Sequence, residues 1–281
     1  MPVWNASKYL TAAMHSIAGQ SFSDYELIIV NDGSTDETET IIAEFARLDS
    51  RIILVQNKSR LGMGHVFNQG IFAARGEYIA RMDGDDISHR DRFMRQVSYL
   101  DAHPKVVVVG GQIELIDSRG VVTGARAYPI YDHELRRAMA RVSPFAHPVT
   151  MFRRDVAINL RGYDVRYAPA EDLHFWVRFA SLGLLANLPE TLLRYRVHGG
   201  SVTAKHGIRM QWQSLRVRLL AWRRYGLPMT PADIALAVVQ LGAAPLPFRV
   251  RVALFDRYRE SLSGVRHDLV RAQSGDWLDS E

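Results

Sequence analysis

The sequence predicts an α/β protein: a doubly wound, mostly parallel sheet, then a mixed β C-terminal half and an appended helical tail. Short apolar runs alternate with amphipathic helical stretches over roughly the first hundred residues, the pattern of βα units. That alternation then gives way to hairpin-like strands. The charge is also uneven: residues 1–204 hold 23 Lys+Arg and 23 Asp+Glu, whereas 205–281 hold 12 and 7. This divides the chain into a neutral body, 1–204, and a basic helical tail, 205–281.

The elements follow in order. Val3-Trp4-Asn5 precedes a helical pattern with Leu10, Ala13 and Ile17 on one face. Glu26–Val30 is a near-continuous apolar strand ending in Asn31-Asp32-Gly33, and Ser34 and Glu37 have capping-box spacing ahead of a helix with Ile41, Ile42 and Phe45 inward. A strand over Arg51–Gln56 and a helix over Met63–Ala74 come next. Glu77–Met82 then reads as a buried strand ending in Asp83-Gly84-Asp85-Asp86, followed by a helix with Phe93, Val97 and Leu100. Val106–Gly110, Gln112–Ile116 and Val121–Thr123 predict a strand and hairpin, with Asp117–Gly120 as the turn. A helix near 132–141, a strand over Val149–Phe152, a helix opened by Glu171-Asp172 and a short strand over Leu192–Val197 complete the body.

Composition narrows the function. The chain has 47% hydrophobic residues, enough for a substantial core, and no cysteine, which excludes disulfides, thiolate zinc sites and cysteine nucleophiles. A net charge of +5 confined to the tail does not suit a uniformly basic nucleic-acid binder. The start lacks a signal-peptide pattern, and no apolar run is long enough for a transmembrane helix. These features fit a reducing compartment, and a cytoplasmic location is expected.

Chemistry concentrates at the ends of strands. In a doubly wound sheet, ligands bind beyond the carboxyl ends of the strands, so Asp32 and Asp83 are brought to one edge. Three carboxylates around Gly84 suit a hard divalent cation that shares its shell with phosphate oxygens. A solvated acidic turn is the plain alternative. An EF-hand does not fit, because the twelfth position of a loop starting at Asp83 is Met94. A dinucleotide-binding dehydrogenase lacks its fingerprint, since Gly62-x-Gly64 follows the wrong strand and has Phe67 where the third glycine belongs. A nucleotidyltransferase would carry a basic Gly-rich loop near the N-terminus, which is absent.

The motifs together resemble the family 2 glycosyltransferases, inverting enzymes of the GT-A fold. They are Met1–Asn5, Glu26–Asp36, Asn68-Gln69-Gly70, Gly76–Asp86, Ala146-His147-Pro148, Gly162-Tyr163, Glu171-Asp172 with Trp176, and Tyr195–His198. The resemblance covers about residues 1–204. It implies a nucleotide-sugar donor site formed by Pro2, Trp4, Asn5, Asp32, Asp83 and Arg196. Trp4 would stack on the base, Asp32 would read it, and Arg196 would neutralise phosphate. Asp85, Asp83 and His198 would hold Mn²⁺ or Mg²⁺. Asp172 would be the catalytic base, with Glu171 as the alternative, and His147 and Trp176 would line the acceptor side.

The implied activity is inverting, metal-dependent transfer of a sugar from a nucleotide-diphosphate sugar, with UDP favoured, to a hydroxyl. A saccharide or lipid-linked acceptor would place it in bacterial surface polysaccharide or lipopolysaccharide synthesis. A nucleotide-sugar-binding assembly protein without efficient turnover is the non-enzyme alternative. Family members have several more residues of first strand ahead of Pro2. Either the start lies further upstream or the strand is short, and a Val-Ser-Val-Ile-like extension is expected to raise the melting temperature.

In the tail, residues 205–224 contain six Lys/Arg and no acid. Trp212, Leu215, Leu219 and Trp222 form a stripe flanked by Arg209, Arg216 and Arg223. That pattern fits an interfacial helix at the inner face of the membrane, or a helix packed on the body with a solvated basic edge.

Overall fold

The computed structural model describes residues 1–198 and 207–243. Strands β1 (Pro2–Val3), β2 (Leu27–Asn31) and β3 (Ile52–Gln56) form a parallel sheet in that order. Helices α1 (Ser7–Ala18) and α2 (Thr38–Leu48) link them, and α3 (Met63–Ala73) leads to β4 (Tyr78–Ala80). Apolar residues at helical spacing explain why α1 docks: Leu10, Ala13, Met14 and Ile17 are all buried.

The second sheet has six strands. Its order is β4, β8 (Met151–Arg153), β6 (Val106–Ile116), β9 (Leu184–Arg196) and β5 (Ile87–Ser88), with β7 (Val122–Arg126) also on β6. The β6–β9 pair is parallel and the other pairs are antiparallel. Helices α4 (Arg92–Ala102), α5 (Asp132–Ala138), α6 (Arg154–Asn159) and α7 (Glu171–Ala180) cover it. The α/β class and mixed C-terminal half are as expected. The parallel part, however, is a separate three-stranded sheet.

Among the described residues no strand is shared between the two sheets. A cleft of about 710 Å³ separates them, with Leu27, Ile28 and Val30 on one wall and Tyr78, Ile79 and Ala80 on the other. At its edge the Met1 α-ammonium donates to the Ile28 carbonyl at 2.8 Å. Burial, helped by the charge of Arg81, lowers its pKa to about 5.

Three local expectations change. The strand expected at 192–197 is the end of thirteen-residue β9, and α6 was not foreseen. The capping box at Ser34 does not form, because α2 starts four residues later. Instead, the Asp36 carboxylate accepts from the amides of Ser7 and Thr38, at 3.1 and 3.2 Å.

The largest core is aromatic: Phe145 packs edge to face on Trp176, and Phe152 edge to face on Phe175 and Phe179, which are tilted against each other. Helix α8 (Gly207–Tyr225) contributes Val217 and Ala221 to that same core, and α9 (Pro231–Gly242) packs on α8. Residues 199–206 and 244–281, the end of the expected body and part of the expected tail, lie outside the described residues.

Candidate active site

The acid turn follows β4 and rests on the start of the chain. A Cβ on Gly84 would come within 2.8 Å of the Val3 side chain, so only glycine lets the turn seat this closely. Arg81, itself buried, grips Asp83 with two parallel contacts of 2.7 Å. Asp85 Oδ2 lies 2.8 Å from His198 Nε2. Asp86 is buried and accepts from the Arg196 amide at 2.8 Å, while its Oδ2 is buried without a partner. Burial and the neighbouring carboxylates raise the Asp86 pKa well above the ordinary range.

The expected phosphate contact by Arg196 does not fit this geometry. Its guanidinium donates to the backbone carbonyls of Asp85 and Asp117, at 2.8 and 2.9 Å, and lies 4.5 Å from the Tyr9 ring centre. Arg196 therefore ties the end of β9 to the acid turn. Behind it, Arg92 donates to the carbonyls of Arg81 and Thr150, at 2.6 and 3.2 Å, and burial lowers its pKa to about 9.

Asp32 sits at the end of β2, buried rather than open to a base. Its oxygens accept from the amides of Leu61 and Gly62, at 2.8 and 3.0 Å, and from Asn57 Nδ2 at 3.2 Å. These bonds organise the loop over 57–62, which carries Arg60. The Arg60 guanidinium stacks 3.7 Å from the centre of the Trp4 ring, which is 40% exposed. Asn5 also works locally: its amide donates to Ser34 Oγ and its Oδ1 accepts from the Thr35 amide, both at 2.9 Å. Pro2 lies buried within β1.

Helix α7 opens with Glu171 and Asp172. Asp172 Oδ1 accepts from the Leu173 amide at 2.7 Å. Burial raises the Asp172 pKa. Burial and the Asp172 charge push Glu171 up to about 7, and its Oε2 is buried without a partner. Tyr163 lies alongside, its hydroxyl 2.8 Å from His147 Nε2. Burial, with the Arg81 charge, pulls the His147 pKa well below the ordinary value, so the ring is neutral.

Trp176 does not line the acceptor side. It is fully buried in the aromatic core, 5.7 Å from the His147 ring, because its position on α7 faces the sheet.

Arg81 unites the two carboxylate groups. Its charge bears on Asp83 and Asp86 in the turn and on Glu171, Asp172 and Tyr163 as well, lowering the pKa of each. Residue type alone does not set Arg81 apart from the other arginines. Its position two residues before Asp83 on a buried strand was the available signal. Asp83, Asp85 and Asp86 can each present a carboxylate oxygen within 4.8 Å of the others. With the orphaned Asp86 oxygen among them, this oxygen-rich set fits a hard divalent cation.

Known proteins resemble the chain throughout this region. The family model "Glycosyl transferase family 2" matches residues 1–161, more than half of the chain. An uncharacterized glycosyltransferase of Haemophilus influenzae is 31% identical over 72% of the chain, which spans 65% of that relative's length. The putative glycosyltransferase EpsE of Bacillus subtilis is 36% identical over 70% of the chain and 71% of its own. The O-antigen biosynthesis glycosyltransferase WbnJ of Escherichia coli is 31% identical over 72% and 79%.

Among solved structures, Staphylococcus aureus TarS 1–349 in complex with UDP-GlcNAc superposes with a TM-score of 0.65 at 19% identity, over 92% of this chain and 73% of that one. The mannosyltransferase PcManGT of Pyrobaculum calidifontis, in complex with GDP-Man and Mn²⁺, gives 0.61 at 19% identity, over 94% and 74%. These two likenesses support the GT-A fold. The family match and the relatives' identities carry the assignment: the chain belongs to glycosyl transferase family 2.

Proposed function

We propose that this protein is an inverting glycosyltransferase that moves a sugar from a nucleotide-diphosphate donor, with UDP favoured, to a hydroxyl of a saccharide or lipid-linked acceptor. The observation that carries this reading is the acid turn, whose Asp83, Asp85 and Asp86 carboxylates can converge, together with a second carboxylate pair, Glu171 and Asp172, at the start of α7. One group suits a cation, and the other suits removal of a proton. WbnJ, named for O-antigen biosynthesis, supports a role in bacterial surface polysaccharide assembly, and the nucleotide-sugar complexes of TarS and PcManGT support the donor class. The reading also places the protein in the cytoplasm at the inner face of the membrane.

Asp85 and Asp86, with Asp83 and His198 beside them, would hold Mn²⁺ or Mg²⁺. The ion would supply charge neutralisation for the diphosphate as it leaves. Arg81 fixes Asp83 in place, and its charge opposes the rise in pKa that burial imposes on that carboxyl. Trp4 offers an exposed aromatic face for the base, and Arg60, already stacked there, borders the same slot. Asp172 accepts the acceptor's hydroxyl proton as the oxygen attacks C1 from the face opposite the leaving group, which gives inversion. Glu171, with its pKa near 7, is the alternative base.

A thermal-shift panel of nucleotide sugars with and without Mn²⁺ tests this reading. A Mn²⁺-dependent shift that disappears in Asp85→Ala is expected. A shift independent of the ion, or unchanged by the substitution, would count against the metal assignment.

A further inference from the structure

We propose that the outer face of α8 and α9 is a docking surface for an anionic lipid bilayer. This deepens the membrane-face placement and does not depend on the identity of the donor.

Helix α8 has two faces with different tasks. Gln213, Val217 and Ala221, four residues apart, are buried against the body, and Gln213 Nε2 donates to the carbonyls of Arg166 and Ala168 at 3.1 and 3.4 Å. Leu215 and Leu219 each lie two residues from Val217, roughly 200° around the helix axis. They continue the run Ile208, Trp212, Leu215, Leu219, Trp222, whose spacing of four and three keeps it on one side. Along it Ile208 is 58% exposed, Trp212 52% and Trp222 47%, while Leu215 and Leu219 between them are half-buried. Packing on the body and an exposed stripe thus belong to opposite faces of one helix.

The exposed face extends onto α9. Asp233 pairs with Arg141, and Gln240 Oε1 accepts from Arg218 at 2.9 Å, so α9 is fastened through its polar positions. Its Ile234, Val238 and Val239 remain exposed. So many exposed apolar side chains, two of them tryptophans, on two helices packed against each other are unusual on a protein that meets only water.

Charge selects the occupant. Arg209, Arg216 and Arg223 recur every seven residues along one edge of the stripe, with no acid between residues 205 and 224. Arginines beside an apolar stripe with tryptophans match the headgroup and acyl layers of an anionic leaflet. A second copy of this chain would bring two arginine rows together. No described helix is long and apolar enough to cross a membrane, so the contact is interfacial.

The face also has a functional orientation. Helix α7, which opens with Glu171 and Asp172, packs against α8. A docked protein would therefore hold that helix close to the lipid.

The test uses the full chain with vesicles of phosphatidylcholine alone and with 30% phosphatidylglycerol, by co-sedimentation and tryptophan emission. Binding to the anionic vesicles only, with a blue shift, is expected. The Arg216→Glu/Arg223→Glu double variant should lower partitioning roughly tenfold or more, and Trp212→Ser/Trp222→Ser should abolish the blue shift. Unchanged circular dichroism and an unchanged nucleotide-sugar thermal shift would show that each variant is folded, and separate failure of docking from failure of the donor reading. Equal binding to neutral vesicles, no binding at low salt, or a dimer broken by the tryptophan variant without vesicle binding would overturn the proposal.

Discussion

The acid turn and the Glu171–Asp172 pair treat their carboxylates differently. In the turn, Arg81 grips both oxygens of Asp83, His198 meets Asp85, and the Arg196 amide meets Asp86. The one buried orphan there, Asp86 Oδ2, lies within a set able to converge on a cation. At the start of α7, Asp172 has a backbone donor, whereas Glu171 is pushed up to about 7 with a buried oxygen that has no partner. Burial raises the pKa of Asp83 and Asp86 as it does that of Glu171 and Asp172, so the donors make the difference. Basic side chains anchor Asp83 and Asp85 in the turn, which suits binding, whereas the donor to Asp172 is a backbone amide, which leaves that acid freer to take up and release a proton.

Four experiments probe that contrast, and the largest effect is expected on turnover. Asp172→Asn should lower kcat by about 10²–10⁴-fold while the nucleotide-sugar thermal shift is retained. If Glu171→Gln has the larger effect, the two acids exchange roles. Next is Arg81→Met, which breaks the link between the groups. Leaving Asp83 without its buried partner should cost about 3–5 kcal/mol in urea unfolding.

Glu171→Gln sharpens the contrast through pH. The native state holds the Glu171 proton more tightly than the unfolded chain between the ordinary value of 4.5 and about 7. Stability from this group is therefore present below pH 4.5 and lost as pH rises to 7, a total of about 3 kcal/mol at 1.36 kcal/mol per unit. The glutamine variant should match the wild type near pH 4 and exceed it at pH 8. Equal pH dependence in the two proteins would remove Glu171 from this role. The smallest effect is expected from adding Val-Ser-Val-Ile ahead of Met1. An apolar strand entering the cleft between β2 and β4 should raise Tm by roughly 2–4 °C per kcal/mol gained. It should act through the support beneath the acid turn rather than through α7, and no change in Tm would count against it.

Much of this arrangement was legible in the sequence because strand ends carry the chemistry. Uninterrupted apolar runs mark β2 and β4, and the acids follow at once, as Asp32 and Asp83. What stayed hidden depends on contacts distant in sequence. Arg196 meets the acid turn 110 residues away, so its residue type suggested phosphate while its partners are backbone carbonyls. Asp32 serves a loop thirty residues ahead for the same reason. The first half of β9 was missed because Asn187, Pro189 and Glu190 interrupt its apolar pattern, and its register against β6 shifts near Gly110. Trp176 has the residue type of a sugar platform, and only the packing of α7 shows that it belongs to the core.

The separation of the two sheets has a further consequence. Trp4 and Asp32 belong to the three-stranded sheet, whereas the acid turn and Glu171–Asp172 are carried by the six-stranded one. A nucleotide whose base lies on the first and whose diphosphate lies on the second spans a seam that no described strand bridges. The donor would then act as a clasp between two independently hydrogen-bonded plates. Amide protons of β1–β3 would exchange through local opening when the seam is empty, and more slowly once it is occupied.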